Sequence, residues 1–352
     1  MRGSFRRPRG REGAWGSVDR GPAMVLGRLK QIGGIWGAVI VLYIVTGLLS
    51  HATLNPSHVL DVLQVASILG IAATGQTFVM LTGGIDLSVA GLITLANIVA
   101  SGVMDGSNAL VLPGLAMIFA LGAAAGAING LLVTRVHITP LIVTLAMNSV
   151  LFGAALLYSH GAPHGAIPPA LQVIGQGRLV HVPVSAILWL MLTITAALVA
   201  RRTVFGRQLY AVGANPRAAH ATGIPVERTI VLAYVASGLL SAIAGLILTA
   251  YIGLPSIGIG DPYQLSSVAA VVIGGTALTG GVGSAIASAG GALFITQLNS
   301  LTNMLQMSTG TQFVIQGAVI AAGMALSRIR ARGRARVPRE RRAPAAPAGR
   351  VP

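Results

Sequence analysis

The chain has 352 residues, 54% of them apolar and only 9% charged, against about 25% charged in ordinary soluble domains. So few charges cannot keep a soluble surface wetted. The absence of cysteine excludes disulfide staples, thiolate zinc sites and a cysteine nucleophile. The fold class that follows is an all-α polytopic membrane protein.

The net charge of +16 is concentrated at the two ends. Residues 1–30 carry eight Lys or Arg against Glu12 and Asp19, and residues 328–352 carry nine Arg against Glu340. The 297 residues between them hold seven Arg and five acids. Both end segments are rich in Arg, Gly, Pro and Ala, and too poor in apolar residues to fold alone. This gives three parts: a basic disordered tail over 1–30, a membrane domain over 31–327 and a second basic disordered tail over 328–352. A basic chain invites a nucleic-acid reading, but the tails have few aromatics and no recognisable module. The positive charge instead marks the cytoplasmic side of a membrane.

A membrane-crossing helix needs about 20 mostly apolar residues. In chain order the candidate segments are 33–50, 60–80, 86–103, 109–133, 138–158, 183–200, 229–252, 264–279, 283–300 and 311–327. They make about ten spans (range 8–10), because the breaks near 82–86 and 280–283 are short and Gly-rich and also suit half-helices. With ten crossings and the N-terminus inside, Arg135, Arg201, Arg202, Arg207, Arg217 and Arg228 fall on the cytoplasmic side, and only Arg178 falls outside. That asymmetry favours an even number of spans, with both termini cytoplasmic.

Small residues recur at every fourth position: Gly122, Gly126 and Gly130 in the fourth segment, Ser237, Ser241 and Gly245 in the seventh, and Gly283, Ala287 and Gly291 in the ninth. Such strips let helices approach closely. They define a tight bundle but no substrate.

Several chemistries are missing. The single lysine, Lys30, follows Leu29, so no G-x-x-x-x-G-K-[ST] phosphate loop exists. The seven histidines fall in or beside loops, without an H-E-x-x-H pair. Asp86 is the one acid inside a membrane segment, which is thin support for coupling to protons or sodium. No catalytic residue, metal site or cofactor is expected in this chain, and transport without an ion relay points to energy from another subunit.

Two stretches carry the information. In Leu81–Ala90, Gly83 and Gly84 break a helix, and Asp86 is placed to cap the next one. Such a break lines a cavity, or is a packing kink with a cap. The cytoplasmic loop 201–225 carries a short helix signal: Asn215 as N-cap, Pro216 in the first turn and Gly223 as the stop. A helix of about seven residues is marginal alone, so either a docking partner holds it or the loop is a solvated connector. The tetrapeptide Leu-Thr-Gly-Gly at 81–84 recurs at 278–281, a weak hint of an internal repeat.

G-G-I-D-L-S-V at 83–89, V-G-x-N-P-x-A-A at 212–219 with Gly223-Ile224, and A-A-V-V-I-G-G-T-x-L-x-G-G-x-G at 269–283 occur in this order. Together they resemble the membrane permease subunit of ribose/xylose-type ABC importers, in the superfamily that also holds branched-chain amino acid permeases. The resemblance runs from about residue 35 to 327 and leaves the basic tails outside. It implies that 213–223, with Gly213, Asn215, Pro216, Arg217, Ala219 and Gly223, forms a coupling helix seated on a cytoplasmic ABC ATPase that binds ATP-Mg. It implies that Gly83, Gly84, Asp86 and Ser88 lie near the translocation path. It further implies an exported substrate-binding protein, a second permease chain, and residence in a bacterial inner membrane. The sequence departs from the pattern at Tyr263-Gln264-Leu265-Ser266, where the family commonly has acids, and Arg217 and His220 change the charge of the coupling helix. Import of branched-chain amino acids or nucleosides, an ion-coupled secondary carrier, and a lipid-binding scaffold remain the alternatives.

Overall fold

The computed structural model describes residues 21–323, apart from positions 309, 313 and 320. The expectations for 1–20 and for the C-terminal tail lie outside the described residues. Helix α1 (Gly21–Leu49) takes in the last ten residues assigned to the first tail. Nothing after Pro22, in its first turn, interrupts it.

Helices α2 (Pro56–Leu81), α3 (Val89–Met104), α4 (Val111–Arg135) and α5 (Pro140–Ser159) follow. A folded connection then comes, with α6 (Pro169–Gln176) and a hairpin of β1 (Arg178–Leu179) and β2 (Val182–Pro183). Next are α7 (Val184–Arg202), α8 (Val204–Ala214), α9 (Pro216–Ala221), α10 (Val226–Ile252), α11 (Asp261–Ile273) and α12 (Ala285–Met304). Described residues of 310–323 are also helical.

A helix falls within each of the ten apolar segments. Five stretches among the described residues are long and apolar enough to cross a membrane: α2, Asn108–Arg135, α5, α7 and α10. The shorter α3 and α11, of 16 and 13 residues, are about 24 and 20 Å long at 1.5 Å per residue. Both adjoin a glycine-rich break, and α11 ends at Ile273 rather than near 279 because Gly274 and Gly275 interrupt it.

Helix α2 is the axis of the bundle: 89% of its apolar window is buried inside the protein, against 28% and 22% for the windows in α4 and α5. Helices α7, α10, α11 and α12 all pack on α2, and α3 packs on α10 and α5. The outward faces of α4 and α5 carry exposed Leu112, Ile128, Ile142 and Leu157, the surface that a lipid solvent favours.

The glycine strip of α4 is the seam with α10. A Cβ on Gly122 falls 2.7 Å from the Gly238 carbonyl, one on Gly126 falls 2.8 Å from Val235 Cα, and one on Gly130 falls 2.6 Å from Val231 Cα. Backbone therefore rests on backbone, where dispersion is gained only at close approach. Gly291 lies in the same way on Ala270 of α11. Gly126→Leu is expected to cost about 3 kcal/mol by overpacking and to lower the thermal midpoint in detergent. Gly153, with nothing within 4 Å of its Cβ position, is the control. Gly153→Ala removes a helix-interior glycine and is expected to gain up to about 1 kcal/mol.

The α4–α10 seam runs antiparallel, so Arg135 and Arg228 share one end of the bundle with Arg201, Arg202, Arg207 and Arg217. All six are exposed. Arg178 lies at the other end, where it pairs with Asp61 of α2 at 2.7 Å. Both partners are substantially exposed, so this pair adds little stability.

Candidate functional site

The break between α2 and α3 carries irregular backbone, exposed at Gly83 and buried at Gly84 and from Asp86 on, and several of its polar groups have named partners. Gly83, with φ +86°, adopts a conformation that other residues rarely take. Its N–H and that of Gly84 donate to the Met80 and Val79 carbonyls. The Ile85 carbonyl accepts from Thr144 Oγ1 of α5 at 3.2 Å, and the Leu87 carbonyl accepts from Gln264 Nε2 of α11 at 3.1 Å. In the amide orientation that satisfies both groups, Gln76 of α2 accepts from the Asp86 N–H at 3.2 Å and donates to its carbonyl at 3.0 Å. Asn148 Oδ1 of α5 accepts from the Gly91 N–H in the first turn of α3 at 2.7 Å. Helix-breaking residues are stable at this depth when neighbouring side chains satisfy the freed backbone in this way.

Asp86 is the centre of a buried polar cluster. Its Oδ1 accepts from the Ser88 N–H (3.0 Å) and Ser88 Oγ (2.5 Å), and its Oδ2 accepts from Ser237 Oγ of α10 (2.8 Å). Asn129 of α4 donates to Ser88 Oγ at 3.0 Å. Asp86, Ser88, Asn129 and Ser237 have no exposed surface. The carboxylate therefore takes the free N–H just before α3, as a cap should, and also ties α3 to α10. Gly84 is buried and lies against the Tyr234 hydroxyl of α10, where any side chain meets that oxygen. Gln76, Asn129 and Tyr234 escape a motif search, and Ser237 shows only as part of a small-residue strip. A polar residue in the middle of an otherwise apolar span was their visible signal.

The loop 201–225 folds as two helices rather than one. Asn215 caps α9 through Oδ1 to the Ala218 N–H at 3.1 Å, with Pro216 in the first turn and Gly223 at φ +82° after its end. Gly213, assigned to this short helix by the sequence, belongs to α8 instead. It lies near the C-terminus of α8, because Asn215 is extended and separates the two helices. Asn215, Pro216, Arg217 and Gly223 are exposed, whereas Ala219 is buried against the protein.

Helix α8 grips the same end of the bundle. Phe205 meets Phe78 of α2 with ring centroids 6.3 Å apart, and the Tyr210 hydroxyl donates to the Gly283 carbonyl at 2.9 Å. At Gly213 the three informative motifs converge. A Cβ there would fall on the Leu81 carbonyl and the Gly281 N–H, and those two groups are themselves hydrogen-bonded at 2.9 Å. Gly280 completes the junction, with its Cβ position 2.8 Å from the Gly83 nitrogen and 2.9 Å from Gly213 Cα. The two Leu-Thr-Gly-Gly runs thus meet in space, and the cytoplasmic loop is pressed onto both. No group of three or more His, Asp or Glu side chains able to hold a metal occurs among the described residues.

The two glycine-broken segments thus meet at the end of the bundle that carries the short exposed helix α9. The chain belongs to the family described as "Branched-chain amino acid transport system / permease component", whose model matches residues 58–324. It is 38% identical to the ribose import permease protein RbsC of Bacillus subtilis (strain 168) over 306 residues, 86% of this chain and 94% of that protein. It is 34% identical to RbsC of Escherichia coli (strain K12) over 80% of this chain and 89% of that protein. The autoinducer 2 import system permease protein LsrC of Enterobacter sp. (strain 638) is 33% identical over 82% of this chain and 84% of that protein. No solved structure matches.

Proposed function

We propose that this chain forms the membrane path of an ATP-driven importer for a neutral monosaccharide of the ribose or xylose type. A cytoplasmic ABC ATPase binds ATP-Mg and supplies the energy, an exported binding protein delivers the sugar, and a second permease chain completes the path. The basic end of the bundle faces the cytoplasm, and both termini lie there. The exposed face of α9 is the part that seats on the ATPase. Gly83, Gly84, Asp86 and Ser88 form the pivot of the path rather than its wetted wall.

The observation that carries this reading is the glycine junction, in which α8 touches both broken segments at once. A pull on α9 reaches Leu81 and Gly281 through backbone contacts, with no flexible side chain between. Two ribose import permeases among the relatives support the sugar class.

The test uses the permease reconstituted with its ATPase and binding protein. Gly223 stands at φ +82°, which proline cannot adopt, and Ala219 is 4% exposed, which leaves no room for a carboxylate. Gly223→Pro and Ala219→Glu are expected to abolish sugar-stimulated ATP hydrolysis while the bundle still purifies as a single species. Normal hydrolysis and uptake in both variants removes the coupling assignment.

A further inference from the structure

The end of the bundle opposite the glycine junction holds a cavity of about 450 Å³ between α2, α11, α12 and the 310–323 stretch. Its volume is in the range of small-molecule sites. One wall is polar by helical periodicity: Thr296, Asn299, Ser300 and Asn303 line it from α12, at positions i, i+3, i+4 and i+7 of one face. Across from them Val62 and Val65 of α2 make an apolar wall. The polar groups are held in place. Ser300 Oγ lies 3.3 Å from His58 Nε2, Gln316 Nε2 donates to Ser266 Oγ at 2.7 Å, and Gln312 donates to Asn303 Oδ1 at 2.9 Å.

A polar stripe on a bundle helix is expensive to keep in a membrane protein unless it lines a path or site. We propose that this cavity binds a neutral monosaccharide, with the C–H face of the sugar on the α2 wall and its hydroxyls on the α12 amides and hydroxyls. Charge decides between ligand classes. Asp61 is the one carboxylate in the lining, and Arg178 already neutralises it at 2.7 Å. A zwitterionic amino acid needs a cation for its carboxylate and an acid for its ammonium; of the lining groups that could serve, His58 lies against Ser300 and Asp61 is already paired with Arg178. A nucleoside favours aromatic stacking, and Tyr263 is the one aromatic ring in the lining. A polyhydroxylated ligand asks for amides and hydroxyls beside an apolar face, and the α12 stripe and the α2 wall supply the two. Helix α2 runs from this cavity to the glycine junction, about 39 Å over its 26 residues, so the ligand site and the docking element share one rigid rod.

This assignment rests on the importer reading, and its test separates the two. The chain lacks cysteine, so Ser300→Cys and Asn303→Cys each place a unique thiol in the cavity. Full-length variants in membrane vesicles are labelled with a small methanethiosulfonate reagent, with and without D-ribose or D-xylose, and L-leucine is the control. Either sugar is expected to slow labelling about fivefold at about four times its Kd, while leucine has no effect. Labelling that ignores both sugars, thiols that never react, or protection by leucine alone each overturns the sugar site. If cells still take up the sugar in the first two cases, the importer reading stands and only the cavity assignment falls. If no sugar is taken up, the importer reading itself fails.

Discussion

Gly213→Val is expected to uncouple the transporter without unfolding it. The added side chain falls on the Leu81 carbonyl and the Gly281 N–H, which are backbone groups and cannot rotate away. Overpacking of this kind costs about 1–3 kcal/mol, and the strain is relieved when α8 swings off the bundle. The docked arrangement then loses about 5- to 150-fold in population. The seam of α2, α4 and α10 is untouched, so the protein should still insert and purify. Sugar-stimulated ATP hydrolysis by the reconstituted complex is the readout, and it should fall by at least about fivefold. Arg217→Ala, on the exposed face of α9, should leave purification and thermal stability unchanged. Hydrolysis at the wild-type level in Gly213→Val would show that the glycine junction transmits nothing.

Asp86→Ala is expected to act on stability first. It leaves the Ser88 N–H, Ser88 Oγ and Ser237 Oγ without their acceptor in a site with no exposed surface. Each orphaned buried group costs about 1–3 kcal/mol, so a total loss of at least about 3 kcal/mol is expected. That corresponds to roughly 6–12 °C in the thermal midpoint. Asp86→Asn keeps the shape and one acceptor oxygen, so its loss should be smaller. The pair also separates two mechanisms. If Asp86 holds α3 to α10, uptake in Asp86→Asn follows the amount of folded protein and still depends on ATP. If it carries a coupling proton, uptake is lost while folded protein is normal, and deletion of the ATPase makes no difference.

Much of the bundle was legible in the sequence because membrane solvent imposes simple rules. Every apolar segment contains a helix, and the Gly122, Gly126 and Gly130 strip marks a real seam because only close backbone contact explains such spacing. Asn215, Pro216 and Gly223 announced α9 because capping chemistry is local. The interior of the site was less legible. Helix α8 was hidden because its apolar face, Phe205, Leu209 and Val212, has meaning only once α2 is beside it. The meeting of the two Leu-Thr-Gly-Gly runs is a long-range contact that no local pattern encodes. Gln264 read as a departure from a family pattern. In the structure it donates to the Leu87 carbonyl, which an ionised glutamate cannot do. The stripe Thr296, Asn299, Ser300 and Asn303 has helical spacing in the sequence, but it gains meaning only once α2 and α11 enclose it.

An external energy source is the central claim for a chain with one lysine and no phosphate loop. Uptake of radiolabelled D-ribose and D-xylose tests it most directly, in cells carrying the full-length chain with and without an intact ATPase partner. Uptake that disappears with the ATPase, whatever the proton or sodium gradient, is the expected result. Uptake that persists without the ATPase and follows an ion gradient would contradict it.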